Sequence, residues 1–144
     1  MRRAVERGMR LPLMYVLVAA TALTGCHASL HPVSPVVDAP DGIRVLVKAQ
    51  DDEVFKLEVI NYGQYPIVVD RDRVVLFTAT GPRARVAGGL GNIYDVPPGG
   101  RHALNVRFKL GGIRTGERVA LSLAGAVTLN GQVLMVPPLE FVAD

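Results

Sequence analysis

Apolar and polar residues alternate along much of the chain after residue 42, and this alternation predicts β-strands. The clearest case is residues 101–110, in which every second residue is apolar or histidine and the others are mostly charged or polar. The apolar face of this run consists of His102, Leu104, Val106, Phe108 and Leu110. A period of two with one polar face is typical of an antiparallel sheet that packs its other face on a core.

Shorter runs of the same kind, separated by turn residues, divide the rest of this region. They cover residues 43–49, 53–61, 67–70, 74–78, 83–86, 93–96, 118–123, 126–129, 132–136 and 139–142. We predict a tight hairpin at Asn130-Gly131, because both residues tolerate the positive φ of a type I′ turn. The run at 139–142 is expected at a terminal edge. We expect about seven to nine short strands with turns at intervals of roughly 8–12 residues, which is typical of a β-sandwich.

Two stretches resemble parts of immunoglobulin-like domains in bacterial envelope proteins. In FKLEVINYGQYPIVV (55–69) a strand ends in asparagine, turns, and continues into a strand led by proline. In YDVPPGGRHALNVRFKL (94–110) a Pro-Gly turn feeds a long alternating strand. The resemblance implies an all-β fold, a small antiparallel immunoglobulin-like β-sandwich over residues 43–144. The chain lacks the cysteine pair and the tryptophan of antibody domains.

The first 25 residues have the layout of an export signal. Four arginines lie in residues 1–10, and the run from Leu11 to Leu23 carries no charge. At 13 residues this run is shorter than the roughly 20 that a membrane-spanning helix needs. It fits the apolar core of a signal peptide, which is about 7–15 residues long. We therefore predict a signal helix over residues 1–25 that is removed from the mature protein.

Leu23-Thr24-Gly25-Cys26 resembles the lipobox of bacterial lipoproteins, and Cys26 is the only cysteine in the chain. The resemblance implies cleavage between Gly25 and Cys26, a diacylglyceryl group on the Cys26 sulfur, and acylation of the new amino group. Two or three acyl chains hold a protein stably on a membrane. The alternative is a secretory signal that happens to end near a buried cysteine.

Residues 26–42 are predicted to be a lipid-anchored tether, because three prolines interrupt a stretch without periodic pattern. Fully extended, 16 residues span at most about 55 Å. The second residue of the mature chain is His27, whereas an aspartate there resembles an inner-membrane retention mark. We therefore expect the cell envelope, and the outer membrane rather than the inner one.

The charge of the chain belongs largely to the signal. Residues 1–25 contain four of the 16 basic residues and one of the 13 acidic residues, which leaves 12 of each in the mature part. The basic isoelectric point is therefore no indication of nucleic-acid binding, which requires a basic patch on the folded domain.

Catalytic and metal-binding patterns are weak in residues 43–144. His102 and Ser122 are the only histidine and serine there, and no G-x-S-x-G elbow occurs. Asp70 and Asp72 alternate with arginines, and residues 51–53 are all acidic. Both stretches are typical of solvated turns, and calcium binding is the alternative. The glycines of residues 88–91 do not open a helix, as a phosphate-binding loop would. We predict no catalytic residues, no metal site and no cofactor.

Tyr62, Tyr65 and Tyr94 fall in or near predicted loops and are candidate binding residues. Loop tyrosines provide a large contact area at a low entropy cost, although they also commonly cap the ends of a sandwich. We expect a non-enzymatic, lipid-anchored accessory module that binds another envelope protein. The alternatives are an enzyme with a dispersed carboxylate or histidine site and a passive structural envelope protein.

Overall fold

The computed structural model describes residues 29–144. This part of the chain contains thirteen β-strands and two short 3-10 helices. The predicted signal peptide, the lipobox-like sequence and Cys26 lie outside the described residues. The 3-10 helices span Pro40–Gly42 and Arg71–Arg73. The strands are β1 (Leu30–Pro32), β2 (Val36–Ala39), β3 (Ile43–Asp51), β4 (Val54–Asn61), β5 (Ile67–Asp70), β6 (Val75–Thr78), β7 (Gly81–Ala84), β8 (Ile93–Val96), β9 (Arg101–Arg107), β10 (Arg118–Ser122), β11 (Val127–Leu129), β12 (Gln132–Val133) and β13 (Leu139–Ala143).

The strands form three antiparallel sheets of a small β-sandwich, so the predicted all-β fold class is confirmed. One sheet has the order β2-β3-β4-β9, and a second has the order β1-β13-β10-β6-β7. The third sheet has the order β12-β11-β5-β8.

The second and third sheets are successive halves of one bent ribbon. β5 leads into β6 through the 3-10 helix at 71–73, and β10 leads into β11 through residues 123–126. Because β6 pairs with β10 and β5 pairs with β11, both strands of the ribbon bend at the same level. Asp70 N donates to Ala126 O at 2.7 Å and links the two strands at the bend.

Three phenylalanines join the facing sheets across the core. Phe55 on β4 packs edge-on against Phe141 on β13, with ring centroids 5.2 Å apart. It packs in the same way against Phe108, at 5.8 Å. All three side chains are fully buried. The predicted apolar face of residues 101–110 is confirmed, since Leu104, Val106, Phe108 and Leu110 are buried and His102 is half-buried.

Residues 30–42 belong to the folded body, so the predicted tether is wrong for this part of the chain. β1 pairs with β13 through Leu30↔Ala143, and β2 pairs with β3 through Val36↔Leu46. Both are edge strands, the position in a sheet that tolerates proline. Short edge strands carry little alternating pattern, so they are not recognisable in the sequence.

Two further predictions are corrected. Eleven strands rather than seven to nine lie in residues 43–144, since short pairings such as β12 count as strands. β13 lies between β1 and β10 and not at an edge, because β1 covers its outer side. The Asn130-Gly131 turn is confirmed, with φ of 50° and 77° at the two residues. Within residues 29–144, no helix has the length and apolar character needed to cross a membrane.

Candidate binding site at the Tyr62–Tyr65 loop

A buried asparagine at the end of β4 fixes the loop that follows it. Asn61 is fully buried, and its Nδ2 donates to Tyr65 O at 2.7 Å and to Val96 O at 3.1 Å. Its Oδ1 accepts from Gly63 N at 2.9 Å. These three hydrogen bonds use every conventional site of the amide except one lone pair of the oxygen. The buried side chain of Asn61 therefore holds the loop of residues 62–65 in place.

Two glycines let the loop pack closely on the turn between β2 and β3. Tyr62 N donates to Gly42 O at 2.9 Å. A Cβ atom at Gly42 would lie 3.0 Å from Gly63 N, and a Cβ atom at Gly63 would collide with Asp41 O. Gly42 also has a φ of 75°, which side chains larger than hydrogen disfavour. Only glycine fits on both sides of this contact.

The loop and the turn enclose a cleft of about 370 Å³ with two exposed tyrosines at its rim. Tyr62 is 61% exposed and Tyr65 is 58% exposed, so both rings are available to a ligand. The cleft is lined by Asp41, Gly42, Tyr62, Gly63, Gln64, Tyr65 and Leu129. Aromatic faces beside a carboxylate and an amide suit the mixed polar and apolar surface of a polypeptide.

A basic residue borders the cleft. The Arg44 guanidinium lies 5.9 Å from the centroid of the Tyr62 ring. Its Nε donates to Asp38 Oδ1 at 2.7 Å, and this hydrogen bond lowers the pKa of Asp38 below its ordinary value. The ion pair keeps the guanidinium beside the ring, where a cation stabilises the aromatic face.

The cleft and β1 lie at opposite ends of the sandwich. Glu53, just before β4, accepts a hydrogen bond from Leu110 N, whereas Asn61 ends β4 at the cleft. Eight residues of strand separate the two ends by roughly 25 Å. The chain from Leu110 leads to Gly116, whose N donates to Ala143 O beside the start of β1. The loop that carries the exposed tyrosines therefore lies at the end of the sandwich away from Leu30, near which the described chain begins.

Tyr94 does not line the cleft. Its ring stacks on His102 with centroids 4.0 Å apart, and its hydroxyl donates to Gly91 O at 2.8 Å and to Leu90 O at 3.2 Å. Tyr94 thus holds the glycine-rich loop of residues 88–91 against β8. Desolvation lowers the pKa of the stacked His102 below its ordinary value. The structure brings Tyr62 and Tyr65 together and separates Tyr94 from them.

The other side chains considered for chemistry are engaged in local contacts. Ser122 Oγ accepts from Ala124 N at 3.3 Å. Ser122 lies on β10, which belongs to a different sheet from β9, the strand that carries His102. Asp70 Oδ1 accepts from the N of Asp72 at 3.0 Å, and Asp72 Oδ1 accepts from Arg85 Nε at 2.6 Å. Within residues 29–144, no group of three or more His, Cys, Asp or Glu side chains could hold a metal ion.

Comparison with protein-family models, curated proteins and solved structures gives no match. Inferences about function therefore rest on this chain alone.

Sequence reasoning missed two surface features. One is an apolar groove of about 470 Å³ beside β10, with Phe77 and Met135 exposed at its rim. The alternation of residues 132–136 could have indicated it, because Met135 falls on the face opposite Leu134. The other is a basic pocket at Arg71 and Arg85. Gly88 and Gly89 are visible in the sequence as part of a glycine-rich stretch, but the two arginines come from separate segments of the chain, so no local pattern joins them.

Proposed function

We propose that the protein is a lipid-anchored, non-enzymatic accessory module of the bacterial envelope that binds another envelope protein through the Tyr62–Tyr65 loop. The proposal has two parts, an anchor at Cys26 and a binding surface at the cleft. They rest on different observations and are tested separately.

The anchor is supported by the order of the features in residues 1–26. A basic start, an uncharged run of 13 residues and the Leu23-Thr24-Gly25-Cys26 sequence follow one another as in bacterial lipoproteins. Lipidation at Cys26 also explains why an exported chain carries a single cysteine, since a free thiol would mispair in an oxidising compartment. The experiment is mass spectrometry of the mature N-terminus, with Cys26→Ser as the control that abolishes acylation.

The binding surface is supported by one observation above all: two largely exposed tyrosines stand on a loop that a fully buried asparagine fixes. Side chains that are mostly exposed to water contribute little to the stability of the fold. A rigid aromatic pair, however, binds a partner at a low cost in conformational entropy. The cleft also lies at the end of the sandwich away from Leu30, the strand residue nearest to the proposed anchor.

In-cell crosslinking of the full-length protein tests the surface, with partners identified by mass spectrometry. We expect one envelope protein to be recovered repeatedly, and to be lost when Tyr62 and Tyr65 are both changed to serine. The matched control changes both to phenylalanine, which keeps the rings and removes the hydroxyl groups. If the rings carry the contact, the control retains most of the crosslinked product.

Three results would contradict the proposal. Recovery of no enriched partner would favour a passive structural role. An unchanged crosslinking pattern in the serine variant would move the contact to another surface. Hydrolysis or group transfer by the purified protein that is lost on His102→Ala, with the fold intact, would favour the enzymatic alternative.

A further inference from the structure

We propose that a pocket formed by Arg71, Arg85 and the glycine-rich loop of residues 88–91 binds a small oxyanion, a phosphate group in particular. The site is separate from the tyrosine cleft and shares no lining residue with it. Its volume is about 270 Å³, and it is lined by Val54, Arg71, Arg85, Val86, Ala87, Gly88, Gly89, Asn105 and Arg107. Three of these residues are basic and none is acidic.

The first step of the argument is that Arg71 is a buried cation. Only 8% of the residue is exposed. Its Nη2 donates to Gly88 O at 2.8 Å and to Gly91 O at 2.9 Å, so backbone carbonyl groups hold one side of the guanidinium. Arg71 forms no ion pair with any carboxylate among residues 29–144. Buried charges in proteins are normally paired, because an isolated charge is costly to remove from water.

The second step is that the hydrogen-bonding capacity of Arg71 is incomplete. Its Nε is buried and has no acceptor among the described residues. Nη1 likewise donates no hydrogen bond to residues 29–144. If Arg71 served only to hold the loop in place, its buried donors would be expected to form hydrogen bonds with protein acceptors as well. Nε is enclosed by protein, so Nη1, which lies close to Gly89 at the edge of the pocket, is the donor left for a ligand.

The third step is that the neighbouring arginines already have counter-charges. The Arg85 side chain is 9% exposed, and its Nε donates to Asp72 Oδ1 at 2.6 Å. Arg107 Nη2 lies 3.1 Å from Glu53 Oε1. Two acids therefore balance two of the three arginines around the pocket, and one positive charge remains. A bound anion would supply the missing charge.

The fourth step is that the loop is built to approach the guanidinium closely. A Cβ atom at Gly89 would lie 2.9 Å from Arg71 Nη2 and 3.0 Å from Nη1, and Gly89 has a φ of 82°. The backbone N–H groups of Gly88 and Gly89 donate to no acceptor among the described residues. Free amides and arginine donors together are the groups that bind oxyanions in proteins. Arg85 reaches the same loop, with Nη1 donating to Gly88 O at 3.3 Å, and its Nη2 donates to Asn92 Oδ1 at 2.7 Å just after the loop.

Arginine donors together with free backbone amides suit the several oxygens of a phosphate group. The group could be free or part of a lipid headgroup, since the chemistry of recognition is the same. Binding is expected to weaken as salt is added, because screening reduces the attraction between the anion and the arginines.

The test is a titration of the full-length protein in neutral detergent with inorganic phosphate, followed by backbone amide NMR shifts. We expect saturable shifts at Gly88 and Gly89, and no such shifts with chloride at equal ionic strength. Arg71→Met should abolish them. Because that variant removes loop contacts, Asn105→Glu is the second variant: it places a negative charge at the exposed rim and leaves the loop intact. It should weaken phosphate binding at least tenfold.

Gln132→Glu is the matched control, since it makes the same change in charge at an exposed strand position outside the pocket. It should bind phosphate within about twofold of the wild type. Absence of saturable shifts at millimolar phosphate would overturn the proposal, as would equal binding in the wild type and Asn105→Glu.

Vesicles of phosphatidylglycerol distinguish the two sources of phosphate. Vesicle binding that phosphate competes away and Asn105→Glu abolishes indicates a lipid headgroup. Saturable phosphate binding without such vesicle binding indicates a free phosphate or a soluble phosphoester.

Discussion

Removal of the Asn61 side chain is expected to increase the mobility of the tyrosine loop and to lower the free energy of unfolding of the whole sandwich. Asn61→Ala deletes three hydrogen bonds, two donated by Nδ2 and one accepted by Oδ1. A net value of about 1 kcal/mol for each gives a loss of about 3 kcal/mol in the free energy of unfolding. The Val96 carbonyl carries the largest share, because its hydrogen bond is buried and water cannot easily replace it.

Urea unfolding of the full-length protein in neutral detergent, followed by circular dichroism, measures this loss. With a denaturant slope of about 1.5 kcal/mol/M, a loss of about 3 kcal/mol lowers the midpoint by about 2 M. Gln64→Ala is the control, because it removes an exposed amide from the same loop and should change stability by less than about 0.5 kcal/mol.

Asn61→Asp tests the same reasoning through pH. The shape is kept, but an ionised oxygen would face the carbonyl oxygens of Tyr65 and Val96 in a fully buried site. Burial and repulsion favour the protonated carboxyl group in the folded state, so its pKa should rise above the unfolded value of about 3.9. The variant should therefore lose stability as pH rises from about 4 toward neutrality. If Asn61→Ala matched Gln64→Ala, or if Asn61→Asp showed no such pH dependence, the assigned role of Asn61 would be refuted.

Three further substitutions test other parts of the fold by thermal or urea unfolding. Gly131→Ala should cost about 1 kcal/mol because φ is 77° there, whereas Gly125→Ala, with no positive φ and open space around the new methyl group, should be close to neutral. Hydrogen bonds from an arginine and a backbone amide lower the pKa of Glu53 from 4.5. Its contribution is present above that value and is lost as pH falls through the lowered pKa, so Glu53→Gln should flatten the acid side of the stability profile. Leu30→Ala should cost about 2–3 kcal/mol because Leu30 is buried in the core, and Val33→Ala, at an exposed position, should cost less than about 0.5 kcal/mol. No difference within either pair, or an unchanged acid profile, would contradict these assignments.

Strands with one buried face were predictable because burial imposes a period of two on the sequence. The bounds predicted for residues 67–70 and 93–96 agree with β5 and β8, and the alternation after Arg101 follows the burial observed in β9. The turn at Asn130-Gly131 was predictable from backbone preference alone. In each case the information lies within a few neighbouring residues.

Pairing between distant segments was not predictable from such local patterns. β1 contacts β13 through Leu30↔Ala143, and nothing near Leu30 indicates a partner at the other end of the chain. The same reason explains why β13 was expected at an edge. A three-residue edge strand shows almost no alternation, so prolines dominated the interpretation of residues 26–42.

The candidate site likewise combines features that local sequence predicts with features that depend on contacts between distant residues. The tyrosines could be found as loop residues, but sequence alone does not distinguish the exposed Tyr62 and Tyr65 from Tyr94. That distinction depends on His102, which stacks on Tyr94 from another strand. Asn61 is visible as a strand-ending asparagine, yet its hydrogen bond to Val96 links residues 35 positions apart. Arg71 is one of several arginines in the sequence, and only the fold buries it.

The pairing of β1 also changes what an anchor at Cys26 would mean. A tether through residue 42 would let the domain lie up to about 55 Å from the membrane. With β1 beginning at Leu30, only four peptide steps separate that residue from Cys26, and they span at most about 14 Å. An anchored domain would therefore lie close to the membrane with the β1 end facing it. The tyrosine cleft, roughly 25 Å farther along β4, would lie at the end away from the membrane, so its distance from the membrane would be set by the length of the folded sandwich and not by a flexible linker.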